Sequence, residues 1–409
     1  MSTAAAERTA SPPGTVRSAL LGAAFLMATS AIGPGFLTQT AVFTQQLGAS
    51  FGFAILVSVL ADLGAQLTIW RVIAAAGRPA SEIANAVQPG LGALLSALVV
   101  VGGVAFNVGN VAGAGLGMSV ALGVDIRVGA AVSAGLAIVV FVVKEAGRAM
   151  DRFAVTLGFV MVGLTTWIAV ATAPPVGQAV WRTVRPEVVS PLAIITIVGG
   201  TVGGYITFAG AHRLLAAGVS GSAVIPAVTR SASTAIGVAS VMRAVLFLAA
   251  LGVLARGGVL DAANPPASVF ALALGPIGER VFGLVMWSAA ITSVVGAAYT
   301  SVSFLPVARH RAGLGERRER PWIIGFIVLS AAVFLLVGRP VAVLVAVGAL
   351  NALVLPVGLV TMLLAARRPE IVGSYRHPAL LSWAGWSVAV AMAGLSVRAF
   401  AVDLPALWR

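Results

Sequence analysis

The sequence predicts an all-α integral membrane protein of about eleven transmembrane helices, built as two inverted five-helix halves plus one further helix. Three observations predict it. Of the 409 residues, 59% are hydrophobic and 10% are charged, with a mean hydropathy of +1.02. A soluble chain carries about 25% charged residues. Apolar segments of about 20 residues, long enough to cross a bilayer, recur along the whole length. The first and sixth of them are interrupted at matching positions, which is the best sequence pointer to a transporter binding site.

The first span covers Ser18–Thr44 and follows a cytoplasmic tail, residues 1–17. Ala28–Ala31 resembles a signal-cleavage site, but the apolar run continues past it, so a retained span is expected. Its centre reads IGPGFLTQT, Ile32–Thr40. Pro34 removes a backbone donor, and Gly33 and Gly35 weaken the helix on either side. In a bilayer, freed backbone groups survive only inside protein or along a cavity. Two half-helices therefore meet at a polar centre that Thr38, Gln39 and Thr40 continue.

Spans two to five follow at Phe51–Trp70, Leu91–Leu122, Gly129–Val143 and Phe153–Thr172, closing a first repeat over residues 18–172. The sixth span, Pro191–Ala211, carries IVGGTVGGYIT at Ile197–Thr207, with Gly199, Gly200, Gly203 and Gly204 at its middle. Ser231–Leu254, Val281–Val307, Trp322–Val337 and Val341–Ala365 complete a second repeat over residues 173–366. Leu380–Val397 is the eleventh span, within residues 367–409. Five spans per half is odd, so the second repeat is inverted. No soluble domain is expected.

Charge sets the orientation. The formal net charge is +13. Most of the 26 basic residues fall in segments that are cytoplasmic if the N-terminus is inside, which puts the C-terminus outside. The bacterial inner membrane is the expected location. Loop arginines report topology and anionic lipid here, not nucleic acid. Arg182, Arg185 and Arg256 are expected to be merely solvated, and His310 and His377 are loop residues without expected chemistry. The chain has no cysteine, which excludes disulfides and thiolate metal sites.

Gly22–Ala31 running into GPGF at Gly33–Phe36, QLGASFGFAILV at Gln46–Val57, ITSVVGAAYTSVSFL at Ile291–Leu305 and NALVLPVGLVTMLLAARRP at Asn351–Pro369 resemble the Nramp family of proton-coupled divalent-metal transporters. The resemblance covers nearly the whole chain. It implies a LeuT-type fold with helices one and six broken. It also implies departures at the metal site. Gly33 and Phe36 stand where the family has Asp and Asn of Asp-Pro-Gly-Asn. Gly203, Gly204 and Tyr205 stand where it has Met-Pro-His. Asn107 and Asn110 align with an Asp and a Glu linked to proton movement. The family's proton-linked His falls at Gly210, two positions before His212.

The residues so marked suit an organic molecule better than a cation, which needs oxygen, nitrogen or sulfur ligands and usually negative charge. Half-helix N-termini offer N–H groups and a positive dipole end to a carboxylate. Gly33, Gly35, Gly203 and Gly204 let a ligand approach the backbone, with Phe36 beside them. Thr38, Gln39, Asn107, Asn110, Thr201, Tyr205 and Thr207 are the candidate polar partners. Asn107 and Asn110 share a helix face, and their amides both donate and accept, as a lactam does. Interhelical bonding is the competing reading for both asparagines, and a local plug for Tyr205.

Asp62 and Arg243 are read as the acid and the base inside spans. Asp62 is a proton-coupling candidate or half of a structural pair with Arg243; His212 is the second coupling candidate. The expected function is secondary uptake of a small organic acid such as 5-oxoproline, by alternating access. A branch of Nramp-like proteins is associated with use of that compound. A divalent-metal transporter (Mn²⁺ or Mg²⁺) with an atypical site and a non-transporting sensor are the alternatives. No nucleophile triad, phosphate loop or metal-ligand cluster points to an enzyme. No cofactor is expected, and the partners are the substrate and the bilayer, with a monomeric chain.

Overall fold

The computed structural model describes residues 32–305 and 319–407. The tail, the first half of the first span with its signal-like Ala28–Ala31, and the loop bearing Arg309, His310, Arg311, Arg317 and Arg318 lie outside the described residues.

Every described element is helical. The first five are α1 (Pro34–Leu47), α2 (Phe51–Ala76), α3 (Ala80–Val87), α4 (Leu91–Leu122) and α5 (Ile126–Val142). Next come α6 (Lys144–Ala171), α7 (Val176–Val184), α8 (Pro191–Val202), α9 (Gly204–Ala216) and α10 (Ile225–Ala255). Last are α11 (Pro265–Ser303), α12 (Arg320–Val337), α13 (Pro340–Ala352), α14 (Val354–Ala365) and α15 (Ala379–Arg398). Among the described residues, nine helical stretches are long and apolar enough to cross a membrane, and α5 is a shorter apolar helix. One of the nine, residues 34–76, joins α1 and α2, so each of the eleven expected spans meets a helix.

The helix ends follow local chemistry. Asp125 accepts from the N–H groups of Arg127 and Val128 and starts α5. Ser190, with Pro191 behind it, starts α8 by accepting from Ala193 N–H.

The structure adds four features to the expected elements. α3 and α7 are short helices inside the connections between spans. The eighth span begins at Pro265, not Val281, and bends where Gly275 takes φ 69° before Pro276. Only glycine adopts that backbone cheaply, and Pro276 has no N–H to continue the ladder. The tenth span is two helices, α13 and α14, with a turn at Leu353. Pro356 removes the N–H that the Ala352 carbonyl would otherwise receive.

α8 is buried from Ala193 to Val202 without a break. A helix apolar all round belongs in a core. It lies so close to α13 that a Cβ at Gly199 would collide with the Gly348 carbonyl oxygen. By contrast, Phe159, Trp167 and Val170 of α6 and Trp383 and Val390 of α15 are exposed. That apolar exposure on a polytopic chain is the lipid face. The core has two apolar clusters, and α1 stands on their seam: Phe43 belongs to one, and Phe36, Leu37 and Ala41 to the other.

Candidate functional site

The described half of the first span and the break in the sixth are built differently. α1 starts at Pro34 after an extended Gly33 (φ −99°, ψ −173°), and no side chain caps it. α9 starts after Gly203 (φ −46°, ψ 153°), also without a side-chain cap. Both half-helices thus present first-turn N–H groups and a positive end without a capping side chain. The second break is braced. Thr207 Oγ1 donates to the Val202 carbonyl across it at 2.8 Å. Trp70 Nε1 of α2 donates to the Thr207 carbonyl at 2.9 Å.

A cavity of ≈ 20 Å³ lies where α1, α4, α8 and α13 converge. That volume admits about one water. Gly33, Gly35, Phe36, Gln39 and Asn110 line it, all anticipated from the sequence. Phe106, Gly109, Gly200, Leu344, Val347 and Gly348 complete the wall. Gln39 Nε2 donates to the Leu344 carbonyl at 2.8 Å. Gln39 Oε1 and Asn110 Nδ2 are buried and find no partner among the described residues. The wall therefore holds one unpaired acceptor and one unpaired donor. It holds no carboxylate, imidazole or thioether, and no group of three or more His, Asp or Glu able to hold a metal occurs among the described residues.

The other anticipated residues lie off the wall. Asn107 Nδ2 donates to Ser330 Oγ of α12 at 3.3 Å, an interhelical tie. Tyr205 packs on Phe106, ring centres 5.6 Å apart, and its hydroxyl donates to the Ala297 carbonyl at 3.4 Å. Thr201 donates to the Ile197 carbonyl, and Thr207 is spent on the brace. Gly203 and Gly204 face Asn351 and Val354 at the α13–α14 turn. Thr38 is fully buried, with its hydroxyl unpaired among the described residues. His212 is half-buried on α9, its ring 5.2 Å from that of Phe304.

Asp62 and Arg243 are both 2% exposed. Each acts electrostatically on the other, and the Thr201 hydroxyl, which donates to the Ile197 carbonyl, lies beside the Asp62 carboxyl. Arg243 Nη1 donates to the Ile197 carbonyl of α8 at 3.4 Å. Its guanidinium carbon lies 4.4 Å from the centre of the Phe36 ring, a cation–π contact. Arg243 was legible as an intramembrane base, but its stacking on the cavity wall was not.

Several residues between the spans do more than was expected. Arg256 donates to the Ala171 carbonyl at 2.6 Å and so closes the end of α6. Arg185 covers the Trp181 ring at 5.3 Å, and Arg182 pairs with Glu187. His377 is half-buried, with Nδ1 2.9 Å from the Tyr375 hydroxyl. Burial, then the nearby Arg71 charge, pushes its imidazole down to about 4. Burial holds the Tyr375 hydroxyl above its ordinary range.

Residues 24–401 match the model of the natural resistance-associated macrophage protein-like (Nramp) family. The chain is 56% identical over 391 residues to the uncharacterized membrane protein YcsG of Bacillus subtilis, covering 96% of both chains. It is 55% identical over 380 residues to an uncharacterized membrane protein of Haemophilus influenzae, covering 93% of this chain and 95% of that one. Among solved structures it resembles a manganese transporter of Eremococcus coleocola bound to an aromatic bis-isothiourea compound. That match has a TM-score of 0.71 at 14% identity, over 94% of this chain and 86% of that one. A mutant of the same transporter matches with a TM-score of 0.70, over 95% and 88%. At this identity the likeness concerns the fold, which is the LeuT-type fold with its broken helices.

Proposed function

The chain belongs to the Nramp family of membrane transporters, and from that premise we propose that it takes up a small organic acid such as 5-oxoproline. The unpaired pair on the cavity wall carries this reading. Gln39 Oε1 can accept and Asn110 Nδ2 can donate, which is what a lactam N–H and C=O require. The uncapped start of α1, whose Gly33 and Gly35 line the cavity, favours its carboxylate. A cavity of ≈ 20 Å³ is smaller than any such ligand, so binding and release need the helices around it to separate, as alternating access does. Two inverted repeats, residues 18–172 and 173–366, supply the moving parts, and residues 367–409 carry the eleventh span. The chain works as a monomer in the bacterial inner membrane, N-terminus inside and C-terminus outside.

A divalent cation is the second reading. The shared fold with a manganese transporter and the unpaired oxygens of Gln39 and Thr38 favour it. Against it stands the missing negative charge on the wall. Purified protein in liposomes decides. Saturable 5-oxoproline uptake without Mn²⁺ or Mg²⁺ uptake is expected. Metal uptake without saturable 5-oxoproline uptake overturns the proposal, and no flux with any of them points to a non-transporting sensor.

A further inference from the structure

Arg243 and Asp62 form a buried pair in which each member keeps polar atoms unpaired among the described residues. A guanidinium carries five donors in a fixed fork and pairs best with a carboxylate through two parallel bonds. Here one nitrogen makes one long bond, to the Ile197 carbonyl, while Nε and Nη2 have no partner among the described residues. Asp62 Oδ1 has none either. Burying ions in this state is costly. A bridge that served structure alone would close the fork on the carboxylate. The guanidinium instead lies against the Phe36 ring, and Phe36 belongs to the cavity wall while Arg243 does not. One side chain thus separates an under-coordinated cation from the cavity.

We propose that Arg243 is the carboxylate-binding residue of this transporter, screened by Phe36 until substrate arrives, with Asp62 as the resting partner that the substrate replaces. This rests on the organic-acid reading above. When the substrate carboxylate takes the guanidinium fork, Asp62 loses its counter-ion and takes one proton from water. One carboxylate and one proton then travel together, and the buried charge stays balanced. Among the described residues, Arg243 and Asp62 are the charges that act on each other. Of the helices packed on α2 and α10, α1, α8 and α14 carry no titratable side chain, Arg148 of α6 pairs with Glu145, Arg182 of α7 pairs with Glu187, and on α11 Arg280 and Tyr299 are exposed and Glu279 is half-buried. On α9, Tyr205 bonds Ala297 and the His212 ring packs at a tilt against Phe304, and the Arg398 of α15 faces Asp403.

Equilibrium binding of 5-oxoproline, and of 2-pyrrolidone as the same lactam without a carboxylate, tests this on purified full-length protein. Arg243→Gln should weaken 5-oxoproline binding by at least about tenfold, the scale of a charge-assisted bond, and leave 2-pyrrolidone binding unchanged. Asp62→Asn removes the competitor, so it should bind 5-oxoproline at least about threefold more tightly. A pH-sensitive dye should report about one proton taken up per ligand bound by the native protein and none by Asp62→Asn. If Arg243→Gln does not fold, the double variant with Asp62→Asn, which leaves no buried unpaired charge, replaces it and should show the same loss. Native affinity in the Arg243 variants, or weaker binding by Asp62→Asn, overturns the inference and leaves the organic-acid reading standing. A native protein that binds no organic acid overturns both.

Discussion

Thr207 Oγ1 reaches back across the break in the sixth span and donates to the carbonyl of Val202 at 2.8 Å. The same residue's carbonyl accepts from Trp70 on α2 at 2.9 Å. One fully buried threonine therefore holds α8 to α9 and both to α2. In a membrane the freed Val202 carbonyl has no water to turn to.

Thr207→Val keeps the shape and deletes the brace. It should cost about 1–3 kcal/mol, the penalty for an unpaired buried carbonyl. Melting in detergent measures it, with Thr207→Ser as the variant that retains the bond. Equal melting temperatures for the two variants would show that the brace carries no stability.

The two asparagines of α4 should separate by phenotype. Asn110 lines the cavity with a free Nδ2, while Asn107 is off the wall and bonds Ser330. Asn110→Leu should therefore weaken 5-oxoproline binding by about tenfold, one lost hydrogen bond in a dry site. Asn107→Leu should lower the melting temperature and leave affinity within about twofold, since membrane interhelical bonds average about 0.6 kcal/mol. The reverse pattern would move the site to the Asn107 side of the helix.

The pairing of those asparagines with different surroundings marks what the sequence could and could not convey. Composition and apolar length anticipated a helix for each of the eleven spans, and Leu91–Leu122 has its predicted bounds, whereas the eighth span starts earlier than expected. Glycine anticipated the break in the sixth span, and Gly33 and Pro34 the start of α1. The cavity wall was half legible: α1 contributes side chains with recognisable chemistry, whereas α13 contributes a backbone carbonyl at Leu344 and a small residue at Gly348. A backbone carbonyl has no sequence signature. The tenth-span turn was hidden for a related reason. Pro356 sits in an otherwise unbroken apolar run, and hydropathy does not register a missing donor. Phe36 and Arg243 meet only through the tertiary fold, so no local pattern could link them.

Gly199 tests the closeness of α8 and α13. Its missing Cβ leaves room for the Gly348 carbonyl oxygen and the Ala352 backbone nitrogen. Gly199→Val should push the helices apart at a cost of about 1–3 kcal/mol, the usual overpacking range. Because Gly200 and Gly348 both line the cavity, binding should weaken as well. Melting and binding measured on the same preparation check both effects. A variant with native values in both would mean that the contact yields freely.

The His377 imidazole takes its proton near 6.5 in an unfolded chain and near 4 in the folded one, because burial and the Arg71 charge oppose the cation. Between those values the unfolded chain holds more protons, so stability rises with pH there. The contribution is complete above about pH 6.5 and falls away as pH drops towards about 4. Tyr375 fixes the ring by its 2.9 Å bond to Nδ1, and Arg71 is itself tied to Thr229 Oγ1 at 2.8 Å, so neither neighbour turns aside easily. Lowering the pH from about 7.5 to about 5 should therefore reduce the melting temperature of the native protein. His377→Gln should show a smaller drop over the same interval. Equal drops would assign the acid sensitivity to other groups and leave the Arg71–Tyr375–His377 cluster without a part in it.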